Sequence, residues 1–194
     1  MPEAPRSECG SGSKGRWTSD TYHLWALIGT GNVFKYMSAA DGKAWMTTPF
    51  ASPQVNPNGN LWRAYKSAVD CSLAKLSLLN LMVVTAKADW QRSGQGGENV
   101  AANAMLAHLL QQAVSMANVV NDTAAAGTYA AAHDKVSRAI NLVLWDADVG
   151  AYKDNPLSKV HPQDGNSLMV RPPCTVHCVP TVCCIKIGVR VRGG

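Results

Sequence analysis

The sequence predicts an all-α protein, and three observations support this class. Residues 58–155 contain no proline, so long helices are permitted there. Apolar residues recur in that stretch at spacings of three and four positions, which is typical of helices with one buried face. Strand-like alternation is confined to "CCIKIGVRVR" near the end of the chain. We therefore expect no sheet before residue 170 and at least three helices within residues 60–145.

The first helix is predicted at about residues 20–39, with Asp20 as a natural N-cap. Gly29 and Gly31 each weaken that helix by about 1 kcal/mol relative to alanine. Residues 47–60 follow it and contain three prolines at intervals of four, which indicates an irregular loop.

Three further helices are predicted to begin near Asn60, Glu98 and Thr123. Their apolar faces consist of Leu61, Tyr65, Ala68, Ser72 and Leu76, then Ala102, Met105, Leu109, Ala113, Met116 and Val120, then Tyr129, Ala132, Val136, Ile140 and Val143. Asp122 or Thr123 provides the N-cap of the last helix. The short connection before it predicts that the last two helices form an antiparallel hairpin.

Composition divides the 194 residues into three parts and limits the function classes. Residues 1–18 are rich in glycine, serine and charge and predict a disordered N-terminal segment. Residues 19–170 form the helical domain, and 171–194 predict a disordered basic tail. The net charge is +5, but the tail that supplies most of it has no aromatic residue, which argues against nucleic-acid binding. No apolar run is long enough for a membrane span, and no secretory signal is apparent.

The six cysteines do not predict a metal centre. Cys174, Cys178, Cys183 and Cys184 cluster near the end of the chain, but their spacing lacks the two separated pairs of a structural zinc site. We predict no metal site and no cofactor.

Two polar segments interrupt the apolar pattern, at residues 89–99 and 146–166. Both combine carboxylates, amides, glycines and an aromatic residue, Trp90 in the first and Tyr152 in the second. Carbohydrate sites use this mixture, because carboxylates and amides bind sugar hydroxyls while an aromatic ring stacks on the pyranose. The alternative is local: Asp89 would cap a helix, Glu98 would favour the first turn of the next helix, and the glycines would form a turn.

Several motifs resemble the fungal α-L-rhamnosidase-type glycoside hydrolases, a family of six-hairpin glycosidases. The distinctive ones are "DWQRSGQGGEN" and "HPQDGNS", supported by "SDTYHLWALIGTGN" and "NDTAAAGTYAAAHDKVSRAINLVLWD". The resemblance covers about residues 19–170, interrupted by 47–60. It implies a partial catalytic domain with the fold of an incomplete (α/α)6 barrel of antiparallel helical hairpins.

The resemblance also implies inverting hydrolysis of terminal rhamnose, so that the partners are rhamnose-containing glycosides. Inversion requires a carboxylic acid and a carboxylate about 6.5–9.5 Å apart. The family's acid-bearing and base-bearing motifs lie outside the matched part, and neither is found here. We therefore predict no catalytic residue and expect a fragment that is inactive alone.

The resemblance transfers a binding role to only a few residues. Asp89 and Trp90 match the Asp-Trp of a sugar-contacting loop, and Arg92 and Glu98 are weaker candidates on the same loop. Two further residues, Asp164 and Asn166, would line the barrel mouth or tie their loop down, and we favour the structural role.

Two positions depart from the family pattern. Gly31 stands where the family usually has a bulky aromatic residue, and Gln91 stands where a glycine is usual. Both departures concern local packing rather than the sugar-contacting residues themselves.

A different class of function stays open from the sequence. The chain would then be a non-catalytic helical module that binds carbohydrate or protein, with self-association through exposed helix faces. The family is typically secreted, and residues 121–123 form a glycosylation sequon, but without a signal peptide we predict no localisation.

Overall fold

The computed structural model describes residues 20–49, 59–84, 88–89, 92–93 and 96–169. Most of these residues are helical, which confirms the all-α class. The predicted disordered segments 1–18 and 171–194 lie outside the described residues.

The helices are α1 Asp20–Lys35, α2 Ala39–Thr47, α3 Leu61–Leu73, α4 Val100–Val119, α5 Thr123–Ala139 and α6 Gln163–Met169, with a π-helical turn at Ile140–Leu144. The strands are β1 Ala88–Asp89, β2 Arg92–Ser93, β3 Trp145–Asp146 and β4 Ala151–Tyr152.

Helix α4 is the centre of the fold. It contacts α1, α2, α3, α5 and α6, and its first seven residues, from Val100 to Leu106, are all buried. A helix whose first two turns are buried on all sides is one that neighbours surround there, whereas His108, Gln111, Ser115 and Asn118 further along are exposed. Its alanines have small side chains, which lets the neighbouring helices approach closely.

The predicted hairpin between the last two long helices is confirmed. Asn121 adopts a left-handed conformation with φ of 62°, and Asp122 is the N-cap of α5, where its Oδ1 accepts a hydrogen bond of 3.0 Å from Ala125 N. The other carboxylate oxygen of Asp122 accepts hydrogen bonds from Lys66 Nζ at 2.9 Å and Trp62 Nε1 at 3.2 Å. The cap of α5 therefore also ties the hairpin to α3.

Two helix boundaries differ from the prediction. The first helix ends at Lys35, and a separate helix, α2, begins after Ser38, whose Oγ accepts a hydrogen bond of 3.1 Å from Asp41 N. Ser38 thus caps a second helix where periodicity alone predicted a continuation of the first. Helix α3 ends at Leu73, and Leu76 instead forms a β-bridge with Met82.

The prediction that no sheet forms before residue 170 is wrong in detail. Two antiparallel pairs of two-residue strands form, β1 with β2 and β3 with β4. The second polar segment is also more ordered than a loop, because it contains the β3–β4 hairpin and α6. Gly150, with φ of 74°, provides the left-handed residue that turns this hairpin.

Gly31 is buried and faces Gln112 of α4. A Cβ at this position would collide with the Gln112 side chain, whose Nε2 donates a hydrogen bond of 2.9 Å to Asn32 Oδ1. Gln112 occupies the space beside Gly31, so a larger residue at position 31 would require the Gln112 side chain to move.

Candidate functional site

Most of the first polar segment lies within a longer stretch, residues 85–96, that is closed by a backbone pair that we call the neck. Val84 N donates to Gly97 O at 2.8 Å, and Gly97 N donates to Val84 O at 3.0 Å. Gly97 has φ of 82°, a conformation that side chains disfavour. The neck brings the two ends of segment 85–96 together and fixes them against the rest of the fold.

Asp89 and Arg92, two of the four predicted site residues, are paired in β1 and β2. Their Cα atoms are partners in the antiparallel register, next to the pair Ala88 and Ser93. Asp89 therefore lies in a short strand, and the alternative that it caps a helix is wrong. Trp90, the third predicted residue, lies outside the described residues.

Glu98, the fourth predicted site residue, lies just before helix α4. The N-cap is Asn99, whose Oδ1 accepts a hydrogen bond of 3.0 Å from Ala102 N, and the helix begins at Val100. The expectation that Glu98 lies in the first helical turn is therefore wrong. The cap position is fixed by an asparagine, a preferred N-cap residue whose side chain satisfies a helical N–H. Glu98 is half-buried.

The two polar segments meet at this end of α4. Asn99 Nδ2 donates a hydrogen bond of 3.1 Å to Asp154 Oδ1, and Val100 N donates one of 2.8 Å to Asp154 O. Asp154 is only 7% exposed. Because its side chain and its main chain both bind the start of α4, the second segment is anchored next to Glu98.

Helix α6 joins the same end of α4 through a close approach at Gly165. A Cβ on Gly165 would collide with Val100 Cγ1 and would lie 3.4 Å from Ala101 N. The motif "DWQRSGQGGEN" ends at Asn99, and "HPQDGNS" contains Gly165. The two distinctive motifs of the sequence are therefore neighbours in the structure.

Asn103, one turn further along α4, holds the chain that leads into the neck. Its Oδ1 accepts from Met82 N at 2.6 Å, and its Nδ2 donates to Met82 O at 3.0 Å and to Asn99 O at 2.8 Å. Asn103 has no solvent exposure, and Met82 is 1% exposed. The amide thus satisfies backbone groups that water does not reach.

A carboxylate of the β3–β4 hairpin, Asp146, is paired with His161, which follows the hairpin in the chain. Asp146 Oδ2 lies 3.0 Å from His161 Nε2, while Asp146 Oδ1 accepts from Asp148 N at 3.2 Å. The hydrogen bond from His161 lowers the pKa of Asp146 below its usual value. This pair joins the hairpin to the segment that precedes α6.

Asn166 has a structural role, as favoured from the sequence. Its Oδ1 accepts from Tyr152 N at 2.8 Å, and its Nδ2 donates to Tyr152 O at 2.9 Å and to Pro162 O at 2.8 Å. Both the oxygen and the nitrogen of the Asn166 side chain therefore form hydrogen bonds with backbone groups. Asp164 differs, because it is exposed in the first turn of α6 and accepts a hydrogen bond of 2.8 Å from Gly165 N.

The aromatic residue of the second segment packs within the hairpin. Tyr152 and Trp145 meet edge to face with ring centroids 4.9 Å apart, and Tyr152 Oη donates a hydrogen bond of 2.7 Å to Asn141 Oδ1. Both ends of the Tyr152 side chain therefore have a structural partner. Of the two aromatic residues considered for sugar stacking, this leaves Trp90 as the better candidate.

No protein-family model matches the chain, and no curated protein is similar enough to it to count as a relative. Within the described ranges, no cluster of three or more histidine, cysteine or acidic side chains is arranged to hold a metal ion. None of the described helices is long and apolar enough to cross a membrane.

The contacts that organise this region were not singled out from the sequence. Asn99 and Asp154 were noted only as polar residues of their segments, and Asn103 was not considered. One signal was present: Asn103 interrupts the otherwise apolar run "VAANAML" on a helix predicted to be buried. A polar residue at a buried position has to find hydrogen-bond partners, and this requirement marks it as an organising residue.

Proposed function

We propose that the chain is part of an α-L-rhamnosidase-like glycoside hydrolase and that it binds terminal rhamnose through the segment 88–98. One observation supports this proposal most directly. The two motifs that resemble the family are distant in sequence but both lie at the start of α4. Asn99, the last residue of the first motif, caps that helix and binds Asp154, and Gly165 of the second motif packs against Val100, the residue that follows Asn99. If the resemblance were coincidental, there would be no reason for its two motifs to lie next to each other in the structure.

The proposed architecture is an incomplete (α/α)6 barrel. The antiparallel pair α4 and α5 is the kind of helical hairpin that such a barrel repeats. The burial of α4 among five other helices is consistent with the position of an inner barrel helix. The other hairpins of the barrel are proposed and are not among the described residues.

The proposed binding chemistry assigns a role to each predicted residue. Trp90 stacks on the apolar face of the sugar, and the carboxylates of Asp89 and Glu98 accept hydrogen bonds from its hydroxyls. Arg92, the backbone partner of Asp89, donates hydrogen bonds to the ring or hydroxyl oxygens. This set binds a neutral sugar without a metal or cofactor.

Rhamnose titration followed by calorimetry tests the binding proposal. We expect a dissociation constant near 1 mM, equivalent to about −4 kcal/mol, because only part of a pocket is present. Trp90→Ala should abolish the binding heat, whereas Trp25→Ala, at a half-exposed tryptophan of α1, should not. D-Glucose serves as the control sugar. A folded wild-type chain that gives no heat with rhamnose would refute the proposal.

We also propose that this chain does not hydrolyse rhamnosides at the rate of a complete enzyme. Loss of a positioned acid or base costs about 10²–10⁴-fold in rate, and neither family motif is present. Glu98 is the carboxylate of the loop that lies next to the start of α4, and Asp164 is exposed on α6. An aryl rhamnoside assay on the parent, Glu98→Gln and Asp164→Asn provides the test. Robust turnover that either variant abolishes would identify a catalytic pair that we have not assigned.

The second candidate is a non-catalytic helical binding module. Exposed apolar side chains favour it, because Leu78, Leu142 and Leu157 project into solvent on the described surface. Rhamnose binding without turnover is compatible with both functions. Binding of neither rhamnose nor a rhamnoside would favour a module for protein partners.

A further inference from the structure

A shallow groove runs along the exposed face of α5 and the π-helical turn. Its volume is about 430 Å³, and its lining includes Leu79, Ala131, Lys135, Arg138 and Leu142. Leu142 is 84% exposed, and Leu78, beside Leu79, is fully exposed. Large apolar side chains grouped in this way on a surface mark a site of interaction.

The charges on this face repeat in a self-complementary order. Asp134, Arg138 and Leu142 follow one another at intervals of four residues and all line the groove, so they lie on one side of the helix. Among the described residues, Arg138 has no ion-pair partner, and Asp134 has only His133, at 3.4 Å. When an acidic residue is followed one turn later by a basic residue, two antiparallel copies of the helix can pair the acid of each copy with the base of the other.

The apolar part of the face is self-complementary in the same register. Two antiparallel copies related by a two-fold axis level with Val136 place Asp134 of one copy opposite Arg138 of the other. The same axis places Leu142 opposite Ala130 and Ala131 of the second copy, about 6 Å along the helix from the nearer of the two charged pairs at a rise of about 1.5 Å per residue. Ala130 lines a second groove, and Asp134 borders both grooves. Val136 is buried toward the core and does not take part.

We propose that a second copy of this chain docks on this groove to form a two-fold dimer. Asp134 of each copy pairs with Arg138 of the other, and Leu142 of each copy covers the small side chains Ala130 and Ala131. A two-fold interface repeats every contact, so each favourable pair occurs twice. The dimer does not depend on the carbohydrate proposal, since the groove and the sugar segment are formed by different residues.

Sedimentation equilibrium of the full chain, from low to high micromolar concentration, tests the dimer. Asp134→Arg and Arg138→Asp each place two like-charge pairs in the interface, so each should weaken dimerisation by about tenfold or more. An equimolar mixture of the two variants restores both opposite-charge pairs and should form a heterodimer. The double variant should dimerise like the wild type for the same reason.

Leucine substitutions provide a matched pair for the apolar contact. Leu142→Glu should leave the chain monomeric, whereas Leu157→Glu, at a 96% exposed leucine outside the groove, should leave dimerisation unchanged. All of these positions are exposed, so circular dichroism should show the same fold in every variant. A wild type that stays monomeric, or a dimer that neither charge reversal weakens, would overturn the proposal.

Discussion

Asn99 and Asp154, 55 residues apart in sequence, are joined by a hydrogen bond of 3.1 Å from Nδ2 to Oδ1 at the start of α4. Asn99 is also the N-cap of that helix, so one amide begins the central helix and anchors a distant segment to it. Asn99 is 2% exposed, and both of its tasks are therefore performed out of contact with water.

Replacing Asn99 by alanine should destabilise the fold by about 2–3 kcal/mol. Loss of an N-cap costs about 1 kcal/mol, and the buried carboxylate of Asp154 loses a hydrogen-bond donor as well. Asn60→Ala is the matched control, because Asn60 caps α3 but is half-exposed, so its loss should cost only about 1 kcal/mol. Urea unfolding measures both variants. Equal losses would show that the bond to Asp154 contributes nothing.

Asn103→Ala should cost about 2–4 kcal/mol, because it leaves the buried N–H and C=O of Met82 without the partner that they have in the wild type. Asn118→Ala, on the exposed side of the same helix, should be neutral or slightly stabilising, since alanine is the better helix former. Guanidinium unfolding followed by circular dichroism compares them. A small loss for Asn103→Ala would mean that water or a rearranged chain replaces the amide.

Lys66→Met should raise the pKa of Asp122. The hydrogen bond from Lys66 is the main cause that holds this pKa below its usual value, followed by the bond from Ala125 N–H, whereas burial acts in the opposite direction. Because the pKa is lower in the folded state, the stabilisation is present above about pH 4 and is lost as the pH falls through the folded value. Lys66→Met should therefore weaken the acid dependence of stability in that range.

A carboxyl-carbon NMR titration measures the pKa of Asp122 directly. Lys43→Met, at an exposed lysine of α2, is the control and should leave the titration unchanged. If Lys66→Met also leaves it unchanged, then the ion pair seen in the structure does not affect the cap.

Gly165→Ala should destabilise the fold by about 1–3 kcal/mol, because the added methyl group collides with buried Val100. Gly127→Ala, within α5, meets no atom within 4 Å and should stabilise the helix by about 0.5–1 kcal/mol. Thermal unfolding of the two variants should therefore shift in opposite directions. A neutral Gly165→Ala would show that α6 can move away from α4 without cost.

The helices that could be predicted are those whose signals are local. Helices α3, α4 and α5 have apolar residues at helical spacing and polar caps at Asn60, Asn99 and Asp122, and all of this is legible within a few residues. Helix α2 was missed because its apolar spacing is weak and its cap, Ser38, lies within the preceding predicted helix. Two-residue strands contain too few positions to show an alternating pattern.

The polar residues of the candidate site could be listed from the sequence, but their organisation could not. The polar density of both segments was apparent, and so was the amide at Asn166 that ties down its own loop. The meeting of the segments at Asn99 and Asp154 depends on how α6 and the β3–β4 hairpin pack on α4, which no local pattern encodes. Glu98 lies before helix α4 rather than in its first turn, because the N-cap is Asn99, one residue later. Which of these residues caps the helix also depends on packing that no local pattern encodes.

The neck at Val84 and Gly97 gives the segment 85–96 an unusual freedom to evolve. Since the paired backbones already hold its ends together, the closure of the segment does not depend on which side chains lie between them. Even a doubling of such a loop adds only about 0.6 kcal/mol of closure entropy. Insertions and substitutions there should leave the neck closed, because Asn103 and Gly97 lie outside the varied residues. Variation among related chains should accordingly be concentrated between the neck residues and be scarce at the neck itself.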